Sequence, residues 1–141
     1  MRLTIVNQDI LNLDMEKYYI AHCISGDFTL GAGLAKKIND KYDMSNELKK
    51  YYQFESGKYC SYLVGRIFNL VTKDSYKDSA SYDALRTALN DMKITAYYMG
   101  IKKLAIPRLG CGKDKLDWNV VQEIIKEIFN DFDIDIEVCV L

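Results

Sequence analysis

The stretch YYIAHCISGDFTLGAGLAKKI, residues 18–38, decides the fold. Tyr18 to Cys23 reads as apolar on both faces, the pattern of a central strand covered from both sides. Ser25 to Gly33 follows as a glycine-containing loop, and Leu34, Ala35 and Ile38 then fall on one face of a helix. A strand that leads through such a loop into a helix is the repeating step of a layered α/β domain.

The flanking sequence repeats the alternation. Leu3 to Val6 is a short β-branched strand upstream, and Met44 to Phe54 supplies a second helix downstream. Lys58 to Leu63 and Arg66 to Thr72 read as a hairpin around Val64-Gly65. From Ser81, the residues Leu85, Ala88, Leu89, Met92, Ala96 and Met99 keep helical spacing up to Gly100, where a helix stops. Leu104 to Ile106 is a buried strand, and Asp117 is the N-cap of a last helix with Val121, Ile124, Ile125, Ile128 and Phe129 as its apolar stripe. Ile134, Ile136, Val138 and Val140 alternate with polar positions and close the chain as a strand. No repeat or linker interrupts residues 1–141, so the expectation is one domain, a three-layer α/β/α sandwich with a mixed central sheet.

Composition narrows the function. Nineteen basic and twenty acidic side chains among 141 residues, a net charge of −1, are mixed along the chain. A broad basic surface for nucleic acid is therefore disfavoured. Cys23, Cys60, Cys111 and Cys139 form no C-x-x-C pair and His22 is the only histidine, so no zinc site of the usual spacing exists and no metal is expected. No stretch approaches the ~18 apolar residues of a membrane span, and no signal sequence is legible. A cytoplasmic monomer with free thiols is the resulting expectation.

In an α/β sheet, ligands bind beyond the carboxyl ends of the strands. The loops to watch are therefore Asn7 to Ile10, Ser25 to Gly33, Val71 to Asp74 and Pro107 to Asp114. Two of them carry G-x-G, Gly31-Ala32-Gly33 and Gly110-Cys111-Gly112, where backbone N–H groups can approach an anion unhindered. The first also opens a helix, whose positive end favours phosphate. Either loop alone reads more readily as a plain turn plus a helix start; two facing one cleft would suit a diphosphate.

The runs HCISGDFTLGAGLAKKI, VTK and IPRLGCGKDKLDW, in this order, resemble the macrodomain family, and within it the branch of the terminal ADP-ribose protein glycohydrolase with its ALC1-like macrodomain. The resemblance spans Met1 to Leu141 and implies a mixed sheet between helices with a cleft for ADP-ribose. It implies that Asp9 accepts from the adenine amino group with Ile10 beside it. Ser25 and the backbone of Gly31, Ala32, Gly33 and Leu34 would meet the inner ribose and the diphosphate. Arg108, Leu109, Gly110, Cys111, Gly112 and Lys113 would wrap the phosphates and distal ribose, Thr72 would join the ligand-binding set, and Leu141 would close over the nucleoside. Two departures stand out: Gln8 precedes Asp9 where many macrodomains have glycine, and the Asn-Ala-Asn run of the water-activating hydrolases is replaced by His22-Cys23-Ile24-Ser25.

The resembled branch works with a lysine and an aspartate, which map onto Lys73 and Asp114. Taken alone, Lys73 reads as a solvated loop lysine near Asp74, Lys77 and Asp78, and Asp114 as a turn carboxylate. A lysine attacks only as the neutral amine, which calls for a dry pocket and a partner that takes and returns its proton. The implied activity is removal of ester-linked mono-ADP-ribose from acidic protein side chains, extending to O-acetyl-ADP-ribose, with no cofactor. The partner is an ADP-ribosylated protein or an ADP-ribose metabolite. The rival readings are a non-catalytic ADP-ribose-binding module and a hydrolase of the same fold acting on ADP-ribose-1″-phosphate or ADP-ribosylated DNA. A thiol mechanism with Cys111 as nucleophile and His22 as base lacks a third orienting group. Trp118 reads as core, and Tyr76 or Tyr82 is the tyrosine placed to cover the ribose.

Overall fold

The computed structural model describes residues 1–141. Six strands, β1 (Arg2–Asn7), β2 (Tyr19–Ser25), β3 (Cys60–Val64), β4 (Ile67–Lys73), β5 (Lys103–Ile106) and β6 (Asp135–Val140), form one sheet in the order β1-β6-β5-β2-β4-β3. All neighbours are parallel except the β3–β4 hairpin, which makes the sheet mixed. β4 lies inside the sheet between β2 and β3, and every residue of IFNLVTK is buried.

Helices α1 (Gly33–Tyr42) and α2 (Met44–Tyr51) cover one face, where Ile38, Met44 and Leu48 pack on Ile20, Ile24, Ile67 and Val71. Helices α3 (Tyr82–Met99) and α4 (Trp118–Phe129) cover the other, where Leu85, Leu89, Ile125 and Phe129 meet Ala21, Phe68, Leu104 and Val138. Both long helices begin at side-chain caps, Asp117 as expected from sequence and Ser81 as a cap the sequence reading did not assign. Ser81 Oγ accepts from the Ala84 amide at 3.0 Å, and Asp117 Oδ1 accepts from the Asn119 amide at 2.9 Å. No helix is long and apolar enough to cross a membrane.

Two local expectations shift, and one short element was not expected. α2 stops at Tyr51 rather than Phe54, because Tyr52 turns extended (φ −133°), stacks on Tyr62 with ring centroids 4.3 Å apart and donates its hydroxyl to the Leu63 carbonyl. The hairpin turn is Gly65-Arg66 rather than Val64-Gly65, since Val64 pairs with Ile67; Arg66 is then held over the Tyr19 ring and donates to the Tyr18 carbonyl. A 3₁₀ turn at Ile10–Asn12, too short for any periodicity, is capped by Asp9 Oδ1 accepting from the Leu11 amide. Gln8 passes through this exit without a positive φ, so a glycine is not needed there.

Candidate active site

The topology itself opens a crevice. β2 leads to α1 on one face while its neighbour β5 leads to α4 on the other, which is the switch point at which adjacent connections diverge. β2 and β5 pair only at Tyr19–Leu104 and Ile20–Ala105, so the edge of β2 from His22 to Ser25 is left uncovered on that side. A cleft of about 560 Å3 fills the gap, lined by 19 residues drawn from His22 to Ala35, from Lys73 and Tyr76, and from Pro107 to Asp114.

Lys73 reaches this cleft through an irregularity. Ile24 pairs with Val71, but Ser25 pairs with Lys73, so Thr72 is one residue in excess on β4. Without the extra residue Lys73 would share the face of Val71, under α1 and α2; the slip sets it instead beside Ser25. There Lys73 Nζ lies 2.9 Å from Asp114 Oδ1, with both side chains only 10% exposed. Asp114 Oδ1 also accepts from the Ala80 amide at 3.2 Å, and Oδ2 takes no protein partner. Two side chains 41 positions apart thus form a nearly enclosed pair.

The loop opposite supplies backbone donors. α1 starts with Ala32 as an extended N-cap that makes no side-chain capping bond, so the first amides of the helix stay open to an anion. Gly33 sits at φ +58°, where a side chain would be strained. On the other wall Gly110 combines φ +73° with a close neighbour, since a Cβ there would lie 2.7 Å from Leu116 Cδ1.

Asp27 organises these loops and was missed in the sequence reading, where it is one carboxylate in a polar run. Its Oδ1 accepts from the Ser25 hydroxyl at 2.5 Å and the Thr29 amide at 3.0 Å, and its Oδ2 accepts from the Tyr76 amide at 3.0 Å. Burial opposes its charge, but the bonds from Ser25, Tyr76 and Thr29 prevail and hold the carboxyl below its usual range. Ser25 therefore donates to Asp27 and offers the cleft only acceptor lone pairs.

Gly26 fixes the same corner: its amide donates to the Lys73 carbonyl at 2.8 Å, and a Cβ on it would overlap the ring of Phe54. Gly26→Ala is expected to lower stability by about 1–3 kcal/mol, the range for overpacking, in a denaturant titration. Phe54→Ala added to it should restore part of the loss. A midpoint unaffected by the single substitution would show that the loop yields freely.

Ser25, Gly31, Ala32, Gly33, Leu34, Arg108, Leu109, Gly110, Gly112 and Lys113 all line the cleft with Lys73 and Asp114. Five expected ligand-binding residues do not line it. Asp9 caps the 3₁₀ turn, Ile10 is 6% exposed in the core, and the bulge residue Thr72 is 1% exposed with an unpartnered hydroxyl. Cys111 packs toward the α3/α4 core with its Sγ on the Leu109 carbonyl, and Leu141 projects into solvent. Of the two tyrosines, Tyr76 lines the cleft, whereas Tyr82 accepts the Asp117 amide at 2.9 Å away from it.

The thiols are poor nucleophiles here. Burial pushes the Cys23 thiol up to about 12, with the nearby Asp114 adding to it, and burial also raises Cys111. His22 is no base for them: burial, only partly offset by its bond to Asn69, lowers it to about 4.

A six-stranded mixed sheet with paired helix layers and this crevice is a macrodomain. The macrodomain of Mycobacterium tuberculosis DarG superposes with a TM-score of 0.82 at 22% identity, covering 97% of this chain and 96% of that one. Thermosipho africanus DarTG, in complex with ADP-ribose, gives 0.75 at 21% identity over 98% of this chain and 41% of that one. No protein-family model matches the chain. The chain belongs to the family of the ADP-ribose glycohydrolase OARD1, a family of hydrolases: it is 34% identical over 148 residues to the Bos taurus protein, across 99% of this chain and 92% of that one.

Proposed function

We propose that the protein hydrolyses ADP-ribosyl esters, freeing ADP-ribose from acidic protein side chains and from O-acetyl-ADP-ribose, with Lys73 as nucleophile and Asp114 as acid and base. The observation that carries this reading is the enclosed Lys73–Asp114 contact of 2.9 Å at the cleft. Proton transfer along that hydrogen bond leaves an amine and a carboxylic acid. The amine attacks the anomeric carbon of the distal ribose; the carbon–oxygen bond breaks, its electron pair leaves on the carboxylate, and Asp114 gives that carboxylate its proton, which returns Asp114 to the base form. Water then adds to that carbon, Asp114 takes the water proton, and the carbon–nitrogen electrons return to Lys73. The sum is ester plus water to carboxylic acid plus ADP-ribose.

In this reading the diphosphate lies between the open amides at the start of α1 and the Gly110–Gly112 loop, both of which line the cleft. Ser25 accepts from a ribose hydroxyl rather than donating to phosphate, as its bond to Asp27 dictates. Asp9 stands outside the residues that line the cleft and its Oδ1 is taken by the Leu11 amide, so in this reading the adenine extends beyond the lined volume to meet Oδ2.

Calorimetric titration with ADP-ribose, NAD and AMP tests the pocket, and release of ADP-ribose from an ADP-ribosylated glutamyl peptide tests the reaction. ADP-ribose is expected to bind at least about tenfold more tightly than the other two, a difference of about 1.4 kcal/mol. Equal affinities, or tight binding with no release, would return the protein to a general nucleotide pocket or to a non-catalytic binding module.

A further inference from the structure

Lys113 is adjacent to Asp114 in the chain, exposed, and on the wall of the same cleft. Its Nζ donates to the Tyr76 carbonyl at 3.1 Å and lies 5.2 Å from the centroid of the Tyr76 ring. The Tyr76 amide is tied in turn to Asp27, and the Ala80 amide to Asp114. The segment after β4 and the loop after β5 are thus stitched together at two points. One stitch holds the carboxylate beside Lys73, and the other holds an ammonium one residue away.

The reaction proposed above needs such a cation. When the ester cleaves, negative charge builds on the departing carboxylate. Lys73 must be neutral to attack, and Asp114 gives its proton only as the bond parts and never carries a positive charge, so neither supplies a cation to meet the charge as it builds. Lys113 is held only by a neutral carbonyl and a ring face, partners a carboxylate can replace at little cost because the contact is exposed. We propose that Lys113 receives the leaving carboxylate as the ester cleaves, a further catalytic residue of this cleft. This rests on the hydrolase reading of the cleft.

The test measures kcat and KM for an ADP-ribosylated glutamyl peptide, and Kd for ADP-ribose, in the full chain, in Lys113→Met and in Lys113→Arg. Lys113→Met is expected to lower kcat about tenfold, less than the loss of an enclosed oxyanion donor because Lys113 is wetter. KM and the ADP-ribose Kd should stay within about twofold, since the contact forms only as charge develops. Lys113→Arg should recover most of the rate. Acetate added with saturating ADP-ribose should inhibit the unsubstituted protein and lose its effect in Lys113→Met. An unchanged kcat in Lys113→Met overturns the assignment. So does an equal loss of ADP-ribose affinity, which would make Lys113 a phosphate contact. Absence of turnover by the unsubstituted protein is a different result: it overturns the hydrolase reading and this assignment with it.

Discussion

Lys73→Ala is expected to abolish release of ADP-ribose from an ester-linked substrate, by at least about a thousandfold, because no other group in the cleft replaces an amine nucleophile. Affinity for ADP-ribose should stay within about tenfold, as the amine meets the ligand at one carbon while loop amides hold the phosphates. The truncation also leaves Asp114 without its cation at 10% exposure, and removing one partner of a buried pair costs about 3–5 kcal/mol. Lys73→Arg separates the two effects: a guanidinium keeps the charge opposite Asp114 but does not attack, so this variant should be folded, competent to bind and equally inactive. Turnover surviving in Lys73→Arg would remove Lys73 from the chemistry. Asp114→Ala should instead stall release, and intact mass should then show one ADP-ribose added to the chain through Lys73. A variant that turns over substrate slowly and never carries the added mass would count against the covalent route.

Most of the scaffold was readable residue by residue, because its signals are local. The spacing from Leu85 to Met99 and the stops at Ser81 and Gly100 specify α3 without any tertiary information, and the same holds for Asp117 and the stripe of α4. The site was less legible because its decisive features are relations between distant segments. Periodicity assigns a face to each residue of β4, yet the slip that sets Lys73 beside Ser25 is a matter of register against β2, and nothing local marks Thr72 as the extra residue. Asp27 joins Ser25 to an amide 49 positions away and reads as an ordinary loop carboxylate until that partner is known. The brief pairing of β2 with β5, which parts the strands and makes the cleft, is likewise a contact of strands more than 80 positions apart. Lys73 and Asp114 entered the reading only through resemblance, since no short pattern links VTK to GCGKD. The two G-x-G loops stand between these cases: each is ambiguous alone, and the crevice at the switch point is what makes them face one volume.

Acidification from pH 6.5 to about 4 is expected to cost the fold about 3 kcal/mol through His22 alone. His22 is 1% exposed on β2, and its Nε2 lies 2.6 Å from Asn69 Oδ1. Asn69 turns its amide nitrogen to the Tyr62 and Ile67 carbonyls, which leaves Oδ1 to face the ring, so Nε2 carries the proton and Nδ1 is a bare, unpartnered acceptor. Burial is the main reason the charged ring is disfavoured, with the bond to Asn69 acting the other way; the folded value falls to about 4 from 6.5. Between those values the unfolded chain binds one proton more than the folded one, so stability falls as pH falls, by up to 1.36 kcal/mol per unit, and it is whole again above 6.5. The carboxylates held low by their partners, Asp27 and Asp135 among them, begin to lose their contribution only below about pH 5, so they add to the decline at the acid end of this window and not between 6.5 and 5. Urea titrations at half-unit steps should therefore show a midpoint that declines from pH 6.5 toward 4. The decline between pH 6.5 and 5 should disappear in His22→Gln, whose amide can still donate to Asn69 but does not titrate. A flat midpoint in the unsubstituted protein would mean that the ring is hydrated or charged in the folded state, and the floor of the cleft would then be wet rather than dry.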